Sequence, residues 1–139
     1  MKTLRSTIFT LGLLLVVSTA HAQTTNVLAR IPFDFVVGKQ MLPAGEYTLK
    51  SLDQIRNALV IRGEQGATQI TLTNAAAKFE PAEKSVLIFH RVGDEYFLAE
   101  VWVEGNSTGR ALPKSPVETQ MAMNHKDSES VIVAALINR

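Results

Sequence analysis

Cysteine is absent from the 139 residues. Its absence excludes disulfide staples, a cysteine nucleophile and a lipid-modified N-terminal cysteine, and leaves hydrophobic burial alone to hold the fold. Charge of one sign is also missing as a feature. The chain carries 14 Lys and Arg against 13 Asp and Glu, with no basic run, so it lacks the electrostatic footprint expected for nucleic acid or an anionic membrane. Gly residues are scattered at turns, not gathered into a phosphate-cradling loop. There is no Gly-x-Ser-x-Gly elbow, and no Ser-x-x-Lys spacing in a persuasive context. No internal repeat or low-complexity tract is visible.

Long apolar runs are limited to one, at the start. Lys2 and Arg5 form a positive region, residues 8–17 are uncharged and mostly apolar, and Ala20-His21-Ala22 places small residues where a signal peptidase reads them. The pattern predicts a signal peptide over residues 1–22, cleaved before Gln23, and a single β-rich domain over residues 23–139. The run is short for a bilayer span, and no second one follows, so the mature chain is expected to have no transmembrane segment. Without Lys2 and Arg5 the balance is 12 basic against 13 acidic residues, a formal charge of −1. A domain of this length can bury roughly 65% of its unfolded surface without staples.

Strand signals dominate the rest. In residues 27–37, Ile31, Phe33, Phe35 and Val37 alternate with Pro32, Asp34 and Val36, which predicts one buried face. Pro32 cannot donate to a ladder, so this strand is expected at an edge, or with its Pro at a bulge. Pro43-Ala44-Gly45 fits a type I turn, and Tyr47 and Leu49 share one face of residues 46–52. A strand over 58–62, the turn Gly63-Glu64-Gln65-Gly66, and a strand over 68–74 with Ile70 and Leu72 inward form a hairpin. Ala75-Ala76-Ala77 reads as a helical turn closed by Pro81.

The densest stretch is residues 85–103, where two runs rich in β-branched and aromatic residues flank Gly93-Asp94-Glu95, the signature of a β-hairpin. It holds the one Trp of the chain and one of the two Tyr. Its second run alternates Phe97, Ala99, Val101 and Val103 with Tyr96, Leu98, Glu100 and Trp102. Both sets are largely apolar, which predicts a strand covered on both faces. A polar loop follows over residues 104–114. Ser115 as N-cap, Pro116 at the first helical position and Glu118 as the third make a capping box, opening a helix to about His125. Residues 131–137 form a last apolar strand. Roughly seven strands and one late helix predict a mainly β fold, an antiparallel β-sandwich or small barrel.

The Phe33-Asp34-Phe35-Val36-Val37-Gly38 run, then Leu42-Pro43-Ala44-Gly45-Glu46-Tyr47, Phe89-His90-Arg91, Tyr96-Phe97-Leu98-Ala99-Glu100-Val101-Trp102 and Leu112-Pro113-Lys114-Ser115 with Glu118 follow one another in order. In that order they resemble a family of small exported bacterial proteins with no assigned function, across nearly all of the mature chain. The resemblance implies an exported single-domain protein and carries no catalytic or binding residues.

Candidate sites are sparse. His90 and Glu100, on opposite arms of the hairpin, suggest an acid/base or metal pair, yet zinc needs three or four convergent ligands. His125 and Asp94 complete such a set only if the fold gathers them. The ordinary expectation is a His hydrogen-bonded at a sheet face and a Glu paired with Arg91 or a Lys. Ser115 and Glu118 read as capping, and Glu80, Glu83, Asp94 and Glu95 as solvated loop charge. Tyr96 and Trp102 offer an aromatic platform for a sugar if their face is open, although such residues more often fill cores. Asn106-Ser107-Thr108 matches a glycosylation acceptor and reads as a polar loop. Residues 131–137 are expected as a central strand; at an edge, this run or residues 27–37 would pair between subunits.

These readings predict an exported, non-catalytic β-domain in the periplasm or outside the cell, acting by binding or assembly at the envelope. No cofactor, metal or nucleic acid is expected. The partner is a protein, a glycan or an apolar ligand, and the speculative contacts are His90, Tyr96, Glu100 and Trp102. The rival is a small apolar-ligand carrier whose barrel interior is lined by Phe33, Phe35, Tyr47 or Leu98. A hydrolase with an unrecognised site comes third.

Overall fold

The structure is a computed structural model that describes residues 26–52, 57–125 and 128–138. The expected signal peptide lies outside them. Eleven strands and one helix follow in order: β1 (Asn26–Ile31), β2 (Phe35–Val37), β3 (Gln40–Leu42), β4 (Gly45–Leu52), β5 (Ala58–Gly63), β6 (Thr68–Leu72), β7 (Asn74–Ala77), β8 (Val86–Val92), β9 (Glu95–Trp102), β10 (Thr108–Ala111), α1 (Pro116–Asn124) and β11 (Ser128–Asn138). The fold is mainly β, as expected, but it is one nearly closed, barrel-like sheet and not a sandwich. The strands beyond the expected seven are β2, β3, β7 and β10. Each is three or four residues long, too short to print a period of two. Among them, β7 occupies the alanine run expected as a helical turn.

The strands are ordered β3-β2-β9-β8-β11-β1-β4-β5-β6, with β10 joining β9 to β7. Because β6 runs into β7 through Thr73, this one stretch of chain pairs with β5 at its start and with β10 at its end. Thr73 is buried, and both its backbone N–H and its hydroxyl donate to the carbonyl of Asn57, at 2.6 and 3.1 Å. Asn57 holds a left-handed φ of 78°, a conformation that Asn tolerates better than most residues. The register of β6 places Gln69 opposite Ile61 and Thr71 opposite Leu59, so Gln69 and Thr71 face inward. Ile70 and Leu72 are exposed, the reverse of the expectation.

Pro32 lies neither in an edge strand nor at a bulge. β1 ends at Ile31 and sits inside the sheet, between β4 and β11. Residues 32–34 carry the chain from there to β2, which pairs with β9. Asp34 anchors the far side of the crossing by accepting the N–H of Ala44 at 2.8 Å. The last strand is central, paired with β1 on one side and β8 on the other.

Aromatic residues fill one end of the interior. Phe33 stacks on Tyr96 with centroids 3.8 Å apart and meets Phe89 edge-on at 5.0 Å. Phe35 packs edge-on against Tyr47 and Phe89, at 5.1 and 5.5 Å. Edge and offset contacts of this kind add about 0.5–1.5 kcal/mol each beyond the area they bury. Toward the other end the inward residues are aliphatic, Val27, Leu49, Leu59 and Val101.

The hairpin of β8 and β9 turns tightly. Val92 faces Glu95, leaving the two-residue turn Gly93-Asp94. Gly93 has φ +61°, which fits the II′ class that favours Gly at its first position. Farther along, Phe89 pairs with Leu98 but Ile88 pairs with Glu100, so Ala99 is the extra residue of a β-bulge. Before the bulge Tyr96 and Leu98 face inward; after it Val101 and Val103 do. The two alternating sets read from the sequence therefore exchange faces at Ala99. The bulge is also where the neighbour of β9 changes, from β2 at Phe97 to β10 at Glu100 and Val101. The strand is covered on both faces, as expected. Outside it, Met121 of α1 packs on Val36, Val92 and Phe97.

Candidate functional site

The four residues singled out as contacts do not form a common face. Tyr96 points into the barrel and lies on Phe33, whereas Trp102 points outward and is 2% exposed. No open aromatic platform results, because Ala99 shifts the phase between them. Trp102 is enclosed by its own neighbours. Its indole N–H donates to Glu100 Oε2 at 2.6 Å, Lys78 Nζ lies 4.1 Å from the ring, and the backbone of Gly109 presses on its inner edge. These contacts hold β9, β10 and the segment after β7 together.

His90 is not opposite Glu100; it faces Phe97 across the hairpin, and Ile88 faces Glu100. The partner of His90 is Glu118 of α1, with Nδ1 donating to Oε1 at 2.9 Å. The Ser115 hydroxyl accepts the N–H of Glu118 at 3.1 Å, as an N-cap should. The carboxylate of Glu118, instead of returning to the cap as a capping box requires, crosses to β8 and pins the helix to the hairpin. Arg91 pairs at 4.0 Å with Glu129, not with Glu100. His125 lies over the Gly93 turn. Among the described residues no three His, Asp or Glu side chains gather in the manner of a metal site, and no helix is long and apolar enough to cross a membrane.

The structure does contain an open pocket, at the aliphatic end of the barrel. It encloses about 440 Å³, within the range of small-molecule sites. Its floor is Val27 of β1, Leu49 of β4, Leu59 of β5, and Val101 and Val103 at the end of β9. Its rim is Ser51 together with Asn106 and Ser107 of the β9–β10 connection and Thr108 and Arg110 of β10. None of Phe33, Phe35, Tyr47 and Leu98 lines it, so the cavity lies elsewhere than the sequence suggested. Large rings pack one end of the barrel, and small branched side chains leave room at the other.

The rim is braced from outside. Ser107 accepts the N–H of Lys78 at 2.8 Å, Asn106 accepts that of Ala82 at 2.9 Å, and the Gly105 N–H donates to Ala82 at 2.9 Å. Beneath it, the Ser85 hydroxyl accepts the N–H of Glu104 at 2.9 Å. Arg110 faces Val101 across the β9–β10 ladder, which turns its side chain toward the pocket. Its Nη1 donates to Asn57 Oδ1 at 3.3 Å. It is the one charged side chain among the described lining residues. Sequence reasoning treated the connection as an ordinary polar loop. The signal that marked it was the closeness of Val101 and Val103 to a Gly- and Ser-rich stretch. Comparison with protein-family models, curated proteins and solved structures finds no match for this chain.

Proposed function

We propose that the protein is an exported, non-catalytic binding domain, and that what it binds is a small ligand with an apolar body, held in the open mouth of the barrel. The observation that carries this reading is the pocket of about 440 Å³ with its floor of Val27, Leu49, Leu59, Val101 and Val103. Burying apolar ligand surface there gains about 25 cal/mol per Å² before the costs of association. The engagement of the polar candidates supports a non-catalytic role, since Glu118 spans helix to hairpin and Glu100 holds an indole. Export is supported by the N-terminal pattern and by the resemblance to small exported bacterial proteins.

Fluorescence of N-phenyl-1-naphthylamine, a neutral probe that brightens in apolar sites, tests the reading. The protein should enhance it saturably, and Val103→Trp, which fills the mouth from a half-buried position, should abolish the enhancement while leaving the fold intact by circular dichroism. Equal enhancement by both proteins would sink the proposal.

Assembly is a second reading, favoured by the outer face of β11. Ile132 and Leu136 are 66% and 72% exposed there, beside Ile88 and Leu28 in register. Contiguous apolar surface of this kind marks interaction sites. Light scattering at tens of micromolar should then report a dimer that Ile132→Glu dissociates; a monomer would remove this reading.

A further inference from the structure

We propose that the mouth of the barrel is selective for a free, single-chain amphiphile with an anionic head, its tail on the valine and leucine floor and its head on Arg110. The inference rests on the ligand-binding reading above and specifies the ligand class. The floor and the rim differ in chemistry in a way that sorts a molecule end to end. At depth the pocket presents Val27, Leu49, Leu59 and Val101, which offer no hydrogen bond to a head group. Polar groups are met at the rim, at Ser107, at the end of the β9–β10 connection, and at Thr108 and Arg110 of β10.

The sign of the head follows from charge. Among the described lining residues there is no Asp or Glu, and Arg110 is the single cation. A guanidinium has five N–H donors, and among the described residues one of them is engaged, on Asn57 Oδ1. That bond draws the guanidinium toward Asn57, whose backbone carbonyl accepts two hydrogen bonds from Thr73. A carboxylate at the rim would meet the planar guanidinium fork, with which Arg binds carboxylates bidentately. An ammonium head would meet like charge, and an alcohol would forgo the charge-assisted bonds.

Isothermal titration with three probes of one chain length tests this: octanoate, octan-1-ol and octylammonium. The protein should prefer octanoate to octan-1-ol and bind octylammonium least. Arg110→Gln should weaken octanoate about tenfold or more and leave octan-1-ol unchanged, Arg110→Lys should keep the preference for the anion, and Arg110→Glu should transfer it to octylammonium. Circular dichroism melts of each variant separate these effects from unfolding. Equal affinity for octanoate and octan-1-ol, or an octanoate affinity indifferent to Arg110→Gln, would overturn the selectivity while leaving the pocket as an apolar site. Failure of all three probes, together with no naphthylamine enhancement, would overturn the ligand-binding reading and this one with it. Sedimentation with phosphatidylglycerol vesicles without binding of free octanoate would overturn it as well.

Discussion

Replacing Gly109 by Ala probes the clamp around Trp102 directly. A Cβ at position 109 would lie 2.7, 2.8 and 2.9 Å from Cδ2, Cε3 and Cε2 of the indole, closer than carbon atoms approach in folded proteins. The ring has no free direction of retreat. It is 2% exposed, bonded to Glu100 at 2.6 Å and flanked by Lys78 at 4.1 Å. Overpacking at such a site costs typically 1–3 kcal/mol. The opposing gain from removing a strand glycine is about 0.5–1 kcal/mol. Taken at their midpoints the two leave a loss of about 1 kcal/mol, or a fall in Tm on the order of 5 °C. Thermal and urea unfolding by circular dichroism measure it, and the one Trp of the chain adds a local fluorescence signal. The decisive control is Trp102→Phe, which is destabilising alone but relieves the clash. Gly109→Ala should cost less in that background, and a neutral Gly109→Ala, or a cost unchanged by Trp102→Phe, would refute the reasoning.

Two further perturbations follow from polar contacts. The Tyr47 hydroxyl donates to the Pro43 carbonyl at 2.5 Å, and burial, then the charge of Asp34, raise its pKa above the ordinary phenol value. The fold therefore favours the neutral phenol, and that stability is complete below a pH of about 10 and lost as pH rises through the raised pKa. The melting temperature should fall more steeply above about pH 10 in the wild type than in Tyr47→Phe, and parallel falls would contradict the assignment. Glu118→Ala should lower stability by about 2 kcal/mol, because it strips a charged hydrogen bond from His90, and should speed hydrogen exchange in α1. Glu118→Gln, which still accepts from the imidazole, should recover much of the loss.

Which parts of the fold were legible in the sequence follows from element length. The hairpin of β8 and β9 and the Ser115 cap were readable because long runs and capping chemistry are local. The central place of β11 was expected from its uncharged run. Pro32 was read as an edge or bulge position within one strand over residues 27–37, not as a break, because the crossing to β2 depends on the parallel pairing at Phe97 and Val36. The inward face of β6 was misread because apolar residues were assigned to the interior. The barrel instead admits Gln69 and Thr71 where its wall is least paired, and Gln69 reaches toward Gly38. At the candidate site, a single residue, Ala99, accounts for the failure of the shared Tyr96 and Trp102 face. Bulges follow from partner geometry, and nothing in the alternation of residues 96–103 announces one. The pocket was missed for a similar reason: it belongs to no one segment, only to strand ends brought together from β1, β4, β5 and β9.

The place of β11 governs when the molecule can exist during its own manufacture. β1 and β8 leave the ribosome long before the segment that lies between them, so until residues 128–138 emerge both present unpaired ladders and the wall stands split. Partial chains can form the local hairpins of β8 with β9 and of β4 with β5, but no closed interior. Closure of the wall therefore waits on residues 128–138, and a truncation within β11 should yield an aggregation-prone chain, not a slightly weakened barrel.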